Sequence, residues 1–479
     1  MDAMLIGREK EKQVLQNALN EEYSQFIAVY GRRRVGKTFL IRETFENRFD
    51  FQFTGAANLT ARKQLVRFRR ALKEHGQKDT PELTNWGDAF SELKRFIMNL
   101  PEGKKVIFLD ELPWMDAPRS GFLSELESFW NGWASARKDI VLIVCASATS
   151  WMLDNVIHNK GGLYNRLTRE IELEPFHLYE CKELMAAKNV VMSDHELLEG
   201  YMIMGGIPYY WNFIDKGLSL SQNIDRMFFN RKAPLRNEYE YLYASIFDNP
   251  EKYIKVIEAL GRNKEGLTRN DISRETKLPS SGNLTKIIDN LVNCRFIKGY
   301  VDYGRTERNQ KFKLIDNFTI FYFKFMKKMP SDEHYWTNQV NTSARNAWCG
   351  LAFERVCMEH IPQIKRKLGI TGVLTKEYTW HCTSDPDNGI FGSQIDLILD
   401  RRDQVINLCE MKYSRDDFSI NKKTDTELRH KISDLNTVTR TRSAIHLTII
   451  TTYGLVDNSY SGSVQNLITA KDLIKATDS

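Results

Sequence analysis

The stretch FIAVYGRRRVGKTFLIRETF, residues 26–45, decides the fold of the first part of the chain. It begins with a short apolar run, continues through a glycine-containing loop at 31–38 and ends in an amphipathic segment. The loop matches the complete pattern GxxxxGK[ST], and its flanks predict a strand before it and a helix after it. Backbone N–H groups of such a loop surround phosphate oxygens, and the positive end of the following helix points at them. The stretch therefore predicts a phosphate-binding loop.

The residue types in this loop also predict how a nucleotide is held. The Lys37 ammonium group reaches the β and γ phosphates, and the Thr38 hydroxyl group ligates Mg²⁺. We therefore expect ATP together with Mg²⁺ as the ligand. The predicted nucleotide-binding residues are Gly31, Arg32, Arg33, Arg34, Val35, Gly36, Lys37, Thr38 and Phe39, joined by Asp110 and Ser147 from later strands.

Two further apolar runs, KVIFLD at 105–110 and IVLIVCAS at 140–147, are separated from the first by amphipathic stretches such as 80–100. This alternation predicts an α/β fold with a parallel sheet that is covered by helices. At the end of the first of these runs, Asp110 is expected to ligate magnesium and Glu111 to polarise the attacking water. An apolar strand that ends in Asp-Glu is by itself an ordinary sheet terminus, but its position after a phosphate loop favours the functional interpretation.

Polar residues also follow the run at 140–147. The hydroxyl group of Ser147 or of Thr149 would be placed to sense the γ phosphate. Serine and threonine equally often cap the turn from a strand into a helix, and the residue type alone does not separate the two interpretations.

The composition of the whole chain limits the kind of protein. Its 479 residues predict about three domains. A count of 68 Lys and Arg against 62 Asp and Glu gives a net charge of +6, which permits a nucleic-acid partner without requiring one. No apolar run is long enough to span a membrane, and the amino terminus lacks the apolar segment of a signal peptide. Seven scattered cysteines have no metal-binding spacing, so we expect a cytoplasmic protein with reduced thiols.

Changes of pattern predict four units along the chain. Residues 1–175 form the nucleotide-binding core, and residues 176–248, with a bend at GGIPYY (205–210), form a helical lid. Residues 249–328 contain short helices and then two β-rich pieces, RFIKGYVDYG and QKFKLIDNFTIFYFKF, the order of a winged helix-turn-helix. Residues 345–479 begin with a helix and continue with strands, which predicts a second α/β domain.

The predicted winged unit offers a surface for nucleic acid. Its two helical stretches, 268–277 and 280–294, lie on either side of Leu278-Pro279, as in a helix-turn-helix. Basic residues that suit contacts with DNA phosphates follow them at Lys298, Arg305, Arg308, Lys311 and Lys313. A rigid spacer between domains would have the same pattern, so both interpretations stay open.

Four residues of the last unit have the chemistry of a metal site. Asp396 lies near the start of one strand, and Glu410 and Lys412 lie on one face of the next. Two carboxylates on adjacent strands hold Mg²⁺, which lowers the pKa of a bound water, and a lysine beside them positions or deprotonates the nucleophile. We expect phosphodiester hydrolysis, with Glu354 of the preceding helix as a further ligand beside Asp396 and Glu410, and with Lys412 as the catalytic lysine.

The first part of the chain resembles a known family. GRRRVGKT, VIFLDELPWM, SATSWM and GGLYNRLTR, with LIGRE near the amino terminus and GGIPYY, are similar to motifs of the STAND-like archaeal and bacterial ATPases of the AAA+ superfamily. The resemblance covers about residues 1–325 and implies a P-loop NTPase fold with ATPase activity. It also implies that Arg166, or alternatively Arg169, stabilises transition-state charge from a neighbouring subunit, and hence a homo-oligomer.

The last unit resembles the restriction-endonuclease-like PD-(D/E)XK superfamily, in which an acidic helix, a strand Asp and a strand ExK meet at one metal. Ile395 stands where that pattern has proline before Asp396. The resemblance implies a DNA nuclease that uses Mg²⁺ or Mn²⁺, and the whole chain would couple ATP binding and hydrolysis to DNA cleavage or assembly. The alternative is a nucleotide-switched signalling or DNA-binding regulatory protein whose nuclease-like domain is inactive.

Overall fold

The structure is a computed structural model in which residues 5–147, 149–158, 162–163, 165–247, 249–306, 308 and 310–476 are described, Thr149 by its backbone alone. The chain divides into two compact units, residues 1–175 and residues 176–479. The finer division of the second unit into a lid, a winged unit and a last domain stays a prediction. Within the described ranges, no helix combines the length and the apolar character that crossing a membrane requires.

The first unit alternates helices and strands. Its elements are α1 (Glu9–Asn17), β1 (Gln25–Tyr30), α2 (Lys37–Thr44), β2 (Phe51–Thr54), α3 (Ala61–Glu74), α4 (Trp86–Met98), β3 (Lys105–Asp110), α5 (Phe122–Gly132), β4 (Ile140–Ala146), α6 (Thr149–Met152) and β5 (Arg169–Glu172). The five strands form one sheet in the order β2-β3-β4-β1-β5, and every neighbouring pair is parallel. The prediction of an α/β fold with a parallel sheet is therefore confirmed.

The three apolar runs of the sequence are the three central strands of this sheet. Every residue of β1, β3 and β4 is buried, because helices cover both faces. Aromatic side chains fill the space under the helices: the rings of Phe26 and Trp130 lie 4.9 Å apart, and those of Phe51 and Phe68 lie 5.1 Å apart. This packing fixes the carboxyl ends of β1, β3 and β4 along one edge of the sheet.

The second unit begins with helices. These are α7 (Leu178–Ala187), α8 (Asp194–Met204), α9 (Pro208–Trp211), α10 (Leu220–Ile224), α11 (Glu238–Ala244) and α12 (Pro250–Arg262). Then follow β6 (Leu267–Thr268), α13 (Arg269–Thr276), α14 (Gly282–Asn293), β7 (Ile297–Tyr300) and β8 (Lys311–Leu314). The three short strands form an antiparallel sheet in the order β6-β8-β7. Two helices followed by an antiparallel hairpin agree in order with the predicted winged unit.

The apolar segment at 317–326 is helical, so the prediction that all of 310–325 is β-rich is wrong in its second half. It forms α15 (Asn317–Phe321), and helical turns continue over 322–326; α16 (Tyr335–Asn338) follows. The Asp316 carboxylate accepts the N–H of Thr319 at 3.0 Å, which caps the helix. A continuous apolar run suits a buried helix as well as a strand, and here the cap favours the helix.

The last part of the second unit is built on a mixed sheet. Its elements are α17 (Ser343–Glu359), α18 (Ile361–Lys367), β9 (Thr375–His381), β10 (Gln394–Arg401), β11 (Val405–Lys412), α19 (Lys422–Thr439), β12 (Ala444–Thr451), β13 (Asn466–Thr469) and α20 (Ala470–Leu473). The strand order is β13-β12-β11-β10-β9. Strands β9, β10 and β11 are antiparallel neighbours, whereas β11, β12 and β13 are parallel, and α19 connects β11 to β12.

Candidate functional site

The phosphate loop begins at Gly31, directly after β1, and only glycine fits there. Its φ angle is +139°, and a Cβ atom at this position would lie 2.3 Å from the carbonyl oxygen of Leu173. The N–H of Leu173 donates to the carbonyl oxygen of Tyr30 at 2.7 Å, so this stretch of backbone is held against the loop. The loop therefore approaches the chain after β5 more closely than any side chain would allow.

The loop ends at Gly36, where φ is +97°, and α2 begins at Lys37. The Lys37 side chain is buried, and its ammonium group donates to the carbonyl oxygens of Gly31 at 2.8 Å and of Arg32 at 3.0 Å. These contacts hold the ammonium group against the loop backbone, where phosphate oxygens would be the stronger acceptors.

Thr38 and Asp110 meet although 72 residues separate them in the chain. The Thr38 hydroxyl group donates to Oδ2 of Asp110 at 3.0 Å. Asp110 ends β3 and is buried, and burial, reinforced by the charge of Glu111, raises its pKa. The Thr38 hydroxyl oxygen and the Asp110 carboxylate are both oxygen ligands, the kind that Mg²⁺ prefers.

Glu111, the second predicted carboxylate, is held by Ser147. The Ser147 hydroxyl group donates to Oε1 of Glu111 at 2.7 Å, and the Ser147 N–H lies 3.4 Å from Oε2. Glu111 has a φ angle of +54°, which is uncommon for a residue other than glycine and is often found at functional sites. The side chain of Thr149, the alternative sensor, lies outside the described residues.

The other predicted nucleotide contacts differ in exposure. Arg32 and Val35 are buried, Arg33 and Arg34 are half-buried, and Phe39 is 38% exposed. Four of these residues belong to the loop itself, and Phe39 lies in the first turn of α2.

Arg166 and Arg169, the two candidates for stabilising transition-state charge, are both exposed. An ion pair is described for Arg169 only. Its guanidinium group lies 3.0 Å from Oε1 of Glu21. Arg169 is the first residue of β5, so its backbone position is set by the sheet. Of the two arginines, Arg169 is the one whose guanidinium group is paired within the first unit.

Arg8 is a residue of this unit to which the sequence analysis gave no role, although it belongs to the motif LIGRE. Its side chain is buried, its φ angle is +67°, and its guanidinium group donates to the carbonyl oxygen of Glu174. Arg8 thus ties the start of the chain to the segment after β5 that also contacts Gly31.

In the second unit, the predicted carboxylates Asp396 and Glu410 lie on neighbouring antiparallel strands. The register pairs Leu397 with Cys409, which places both carboxylates at the same end of β10 and β11. Burial, followed by the charge of Glu410, raises the pKa of Asp396, and burial, followed by the charge of Asp396, raises the pKa of Glu354 in α17. The three carboxylates therefore act on one another electrostatically.

Glu410 is neutralised by two lysines instead of standing free for a metal ion. Lys412 lies 2.8 Å from Oε1, and Lys431 of α19 lies 2.7 Å from Oε2. Burial alone would raise the pKa of Glu410, but the two ammonium groups outweigh it and the pKa is lowered. Among the described residues, no group of three or more His, Cys, Asp or Glu side chains is arranged to hold a metal ion. The expected site of Glu354, Asp396 and Glu410 is thus not assembled in this arrangement.

Sequence reasoning missed Lys431 and also Asp434, one helical turn further along α19. The fully buried Asp434 carboxylate accepts the N–H groups of Phe391 and Gly392 at 2.9 and 3.0 Å and the hydroxyl group of Ser393 at 2.5 Å. It thereby fixes the chain just before β10. Amphipathic spacing predicts that α19 packs on the sheet, but it does not identify the strand residues that its charged side chains meet.

Only some of the basic residues of the predicted wing are free of carboxylate neighbours and exposed for contact with DNA phosphates. Lys298 lies 3.9 Å from Glu377, and Lys311 lies 3.9 Å from Asp302. The ammonium groups of Lys298 and Lys313 both lie 5.6 Å from the ring centroid of Tyr300. Arg305 and Arg308 are exposed, as is the start of α14. Because Lys298 and Lys311 each lie beside a carboxylate, the expectation that all five basic residues contact phosphate is weakened.

Comparisons with known proteins agree with the geometry of the phosphate loop. Residues 5–212 match the family described as an ATPase domain predominantly from Archaea. An uncharacterised protein of Methanocaldococcus jannaschii is 26% identical over 427 residues, which are 86% of this chain and 88% of that protein. An uncharacterised ATP-binding protein of the same organism is 44% identical over 45 residues, 9% of this chain and 76% of that protein.

Two solved structures are similar at low identity. A Walker-type ATPase of Pyrococcus abyssi has a TM-score of 0.47 and 17% identity, over 66% of this chain and 95% of that one. The ORC2 protein of Aeropyrum pernix, in complexes with ADPNP and ADP, has a TM-score of 0.42 and 10% identity, over 75% of this chain and 98% of that one. Over residues 5–212, the amino-terminal part of this chain is thus similar to the ATPase domains found predominantly in Archaea.

Proposed function

We propose that the first unit binds ATP with Mg²⁺ and hydrolyses it. The observation that carries the proposal is the meeting of Thr38 with Asp110, 3.0 Å apart, beside the loop that holds Lys37. The similarity of residues 5–212 to ATPase domains supports it. A magnesium ion bound there would neutralise phosphate charge and order the phosphate oxygens.

In this proposal, Lys37, the loop backbone, Glu111 and Ser147 have separate roles in ATP binding and hydrolysis. The Lys37 ammonium group exchanges its bonds to loop carbonyls for bonds to the β and γ phosphates, and the backbone N–H groups of the loop hold the other oxygens. Glu111 orients the attacking water and accepts its proton, which requires that Ser147 release the Oε1 atom it now holds at 2.7 Å. Ser147 would then sense the γ phosphate.

The proposal extends to a homo-oligomer in which Arg166 completes the site of the adjacent subunit. An arginine is suited to this role because its planar guanidinium group contacts two phosphate oxygens at once. The Glu21 ion pair of Arg169 supports Arg166 over Arg169. An Arg166→Ala variant mixed with a Glu111→Gln variant tests the sharing of sites, since mixed oligomers contain some complete sites and regain activity.

The test of ATP hydrolysis compares Lys37→Ala with Lys63→Ala, an exposed lysine of α3. Loss of a charge contact to the transferring phosphate lowers the rate by about 10²- to 10³-fold. We expect this loss in phosphate release for Lys37→Ala, and wild-type rates for Lys63→Ala. Equal hydrolysis by both variants would refute the proposal.

We further propose that the second unit contains a metal-dependent DNA nuclease, and that the nucleotide state of the first unit gates cleavage or assembly. The mutual pKa effects of Glu354, Asp396 and Glu410, together with Lys412 at 2.8 Å from Glu410, support this second function. Carboxylate oxygens suit Mg²⁺ or Mn²⁺, and such an ion would lower the pKa of a bound water. Lys412 would hold the attacked phosphate and offset its charge.

The cation would have to replace at least one lysine on Glu410, and this requirement keeps the alternative open. In the alternative, the lysine-neutralised carboxylates are an inactive remnant and the chain is a nucleotide-switched signalling or DNA-binding regulator. The exposed start of α14 and the exposed Arg305 and Arg308 would serve as the DNA-binding surface under either proposal.

Plasmid cleavage with Mn²⁺ or Mg²⁺ separates these possibilities. We expect cleavage by the wild type, none by an Asp396→Asn, Glu410→Gln double variant, and wild-type cleavage by Asp403→Asn. Asp403 is a matched control because it is an exposed aspartate after β10, paired with Arg401. Equal cleavage by the wild type and the double variant assigns the cutting to a contaminant, and cleavage by neither favours the inactive domain.

A further inference from the structure

The hairpin between β9 and β10 presents an aromatic ring to solvent, stacked on a histidine. The ring of Phe391 lies parallel to the imidazole ring of His430 in α19, with 3.5 Å between the ring centroids and 2° between the planes. Phe391 is 53% exposed, whereas His430 is half-buried. Since His430 covers one face of the Phe391 ring, the exposed surface of this ring includes its other face. A third flat ring can therefore extend the stack.

The backbone of Phe391 is fixed in place. The fully buried Asp434 carboxylate of α19 accepts the N–H of Phe391 at 2.9 Å and the N–H of Gly392 at 3.0 Å. Gly392 has a φ angle of +90°, and a Cβ atom there would lie 2.9 Å from the backbone nitrogen of Ser384 across the hairpin. Because His430 and Asp434 are four residues apart, one face of α19 holds both the ring and the backbone of Phe391. A ligand that binds the stack thus has little ordering of the protein to bring about.

The surroundings of the stack favour a nucleobase over an apolar side chain of a partner protein. Apart from Phe391, the hairpin segment 383–394 has only two apolar side chains, those of Pro386 and Ile390. The core of a protein interface is a continuous, largely apolar patch, which a single ring among polar residues does not provide. Bases need only a flat aromatic face, and they stack on it with little regard to sequence.

Charge and position also suit a DNA strand at the stack. Segment 422–431 of α19, which contains His430, has four Lys or Arg residues against two Asp or Glu residues. The hairpin itself carries Asp385 and Asp387, so we expect the phosphates of a bound strand on the side of α19. Asp396 follows Phe391 by five residues, which span at most about 18 Å. A DNA strand bound at this end of β10 would therefore lie close to the stack.

We propose that Phe391, stacked on His430, binds one unpaired base of DNA, so that the second unit prefers DNA with single-stranded character to a continuous duplex. Within a duplex the faces of the bases are stacked on one another, and a base reaches a protein ring only after it has been unstacked. This inference rests on the proposed binding of DNA by the second unit, and it holds whether or not that unit cleaves DNA.

The test measures the affinity of the full-length protein for a fluorescein-labelled single-stranded oligonucleotide and for the matching duplex, by fluorescence anisotropy in EDTA. The variants are Phe391→Ala, Phe391→Leu and Phe391→Trp, and the matched control is Val438→Ala, an apolar residue of α19 that is 44% exposed. We expect Phe391→Ala and Phe391→Leu to bind the single strand about tenfold more weakly, because both lose the aromatic face. Phe391→Trp and Val438→Ala should match the wild type, and no variant should change the affinity for the duplex.

Different results overturn the inference in distinguishable ways. If Phe391→Leu binds the single strand as tightly as the wild type does, the contact is not base stacking. If Phe391→Ala weakens the binding of the single strand and of the duplex equally, the residue does not read an unpaired base. If the wild type binds the duplex but not the single strand, the stack has no base to hold, and the proposed DNA partner stands. If the wild type binds neither form, the proposed DNA partner fails and the inference fails with it.

A second readout locates the base directly. A single strand that contains 5-iododeoxyuridine is irradiated with ultraviolet light in complex with the protein, because this base crosslinks to an aromatic ring that it stacks against. Mass spectrometry should find the crosslink on the peptide that contains Phe391, and the crosslink should be absent from Phe391→Leu. Crosslinks at other positions with none at Phe391 would contradict the proposal.

Discussion

Replacement of Gly31 by alanine tests whether the phosphate loop depends on its close approach to the chain after β5. A Cβ atom at Gly31 would lie 2.3 Å from the carbonyl oxygen of Leu173, and φ at this glycine is +139°. Gly76, in the turn after α3, is a matched control because its φ is +112° and a Cβ atom there would meet no other part of the described chain within 4 Å. Both alanine variants carry backbone strain, but only Gly31→Ala adds an overlap with another part of the chain.

The expected magnitudes follow from these two terms. Backbone strain at a conformation that favours glycine costs about 1–3 kcal/mol in either variant. The overlap adds about 1–3 kcal/mol for Gly31→Ala, because the opposing atom belongs to the backbone and cannot rotate away. Each kcal/mol lowers the melting temperature of a unit of this size by about 2–4 °C. Gly31→Ala should therefore melt at a lower temperature than Gly76→Ala.

The assay combines thermal unfolding of the full-length protein, followed by tryptophan fluorescence, with titration of a fluorescent ATP analogue. We expect Gly31→Ala to lose at least about tenfold in affinity, since displaced loop N–H groups no longer meet the phosphates. Gly76→Ala should bind the analogue as the wild type does. The reasoning is refuted if Gly31→Ala melts together with Gly76→Ala and binds the analogue normally.

Three further expectations concern other parts of the molecule. Thr38→Val removes the hydroxyl group that meets Asp110, so the gain in ATP affinity that Mg²⁺ gives over EDTA should largely disappear; an unchanged gain would exclude Thr38 as a ligand. Burial lowers the pKa of His360 to about 3, below the ordinary 6.5, so the unfolded chain binds the proton first and stability should fall by about 2 kcal/mol between pH 6.5 and 5. Urea unfolding should show this loss in the wild type and a smaller one in His360→Gln; equal losses would contradict it. Asp434→Asn should speed amide hydrogen exchange at Phe391 and Gly392, and unchanged exchange would show that this carboxylate is not what fixes the segment.

The phosphate loop was predictable because its determinants are consecutive in the chain. Gly31, Gly36 and Lys37 owe their roles to backbone conformation and to the start of α2, which depend on nearby residues alone. The parallel sheet was predictable for a similar reason, since fully apolar runs between amphipathic stretches have few other ways to be buried.

Two predictions differ from the structure because of contacts that cannot be read from the sequence. The apolar segment at 317–326 is helical, because a run of this kind suits two structures and the Asp316 cap favours one. The wing lysines were expected at a DNA surface, but Lys298 and Lys311 lie beside carboxylates. Both outcomes depend on neighbours that the pattern of a single segment leaves undefined.

The sequence by itself determined the strand, loop and helix of the phosphate site, and it identified Asp110, Asp396 and Glu410 as carboxylates at strand ends. Only the tertiary structure decided their partners: Thr38 for Asp110, and Lys431 for Glu410. The physical reason is that a backbone turn is set by adjacent residues, whereas a hydrogen bond across 72 positions or an ion pair across 21 depends on which elements the folded core brings together.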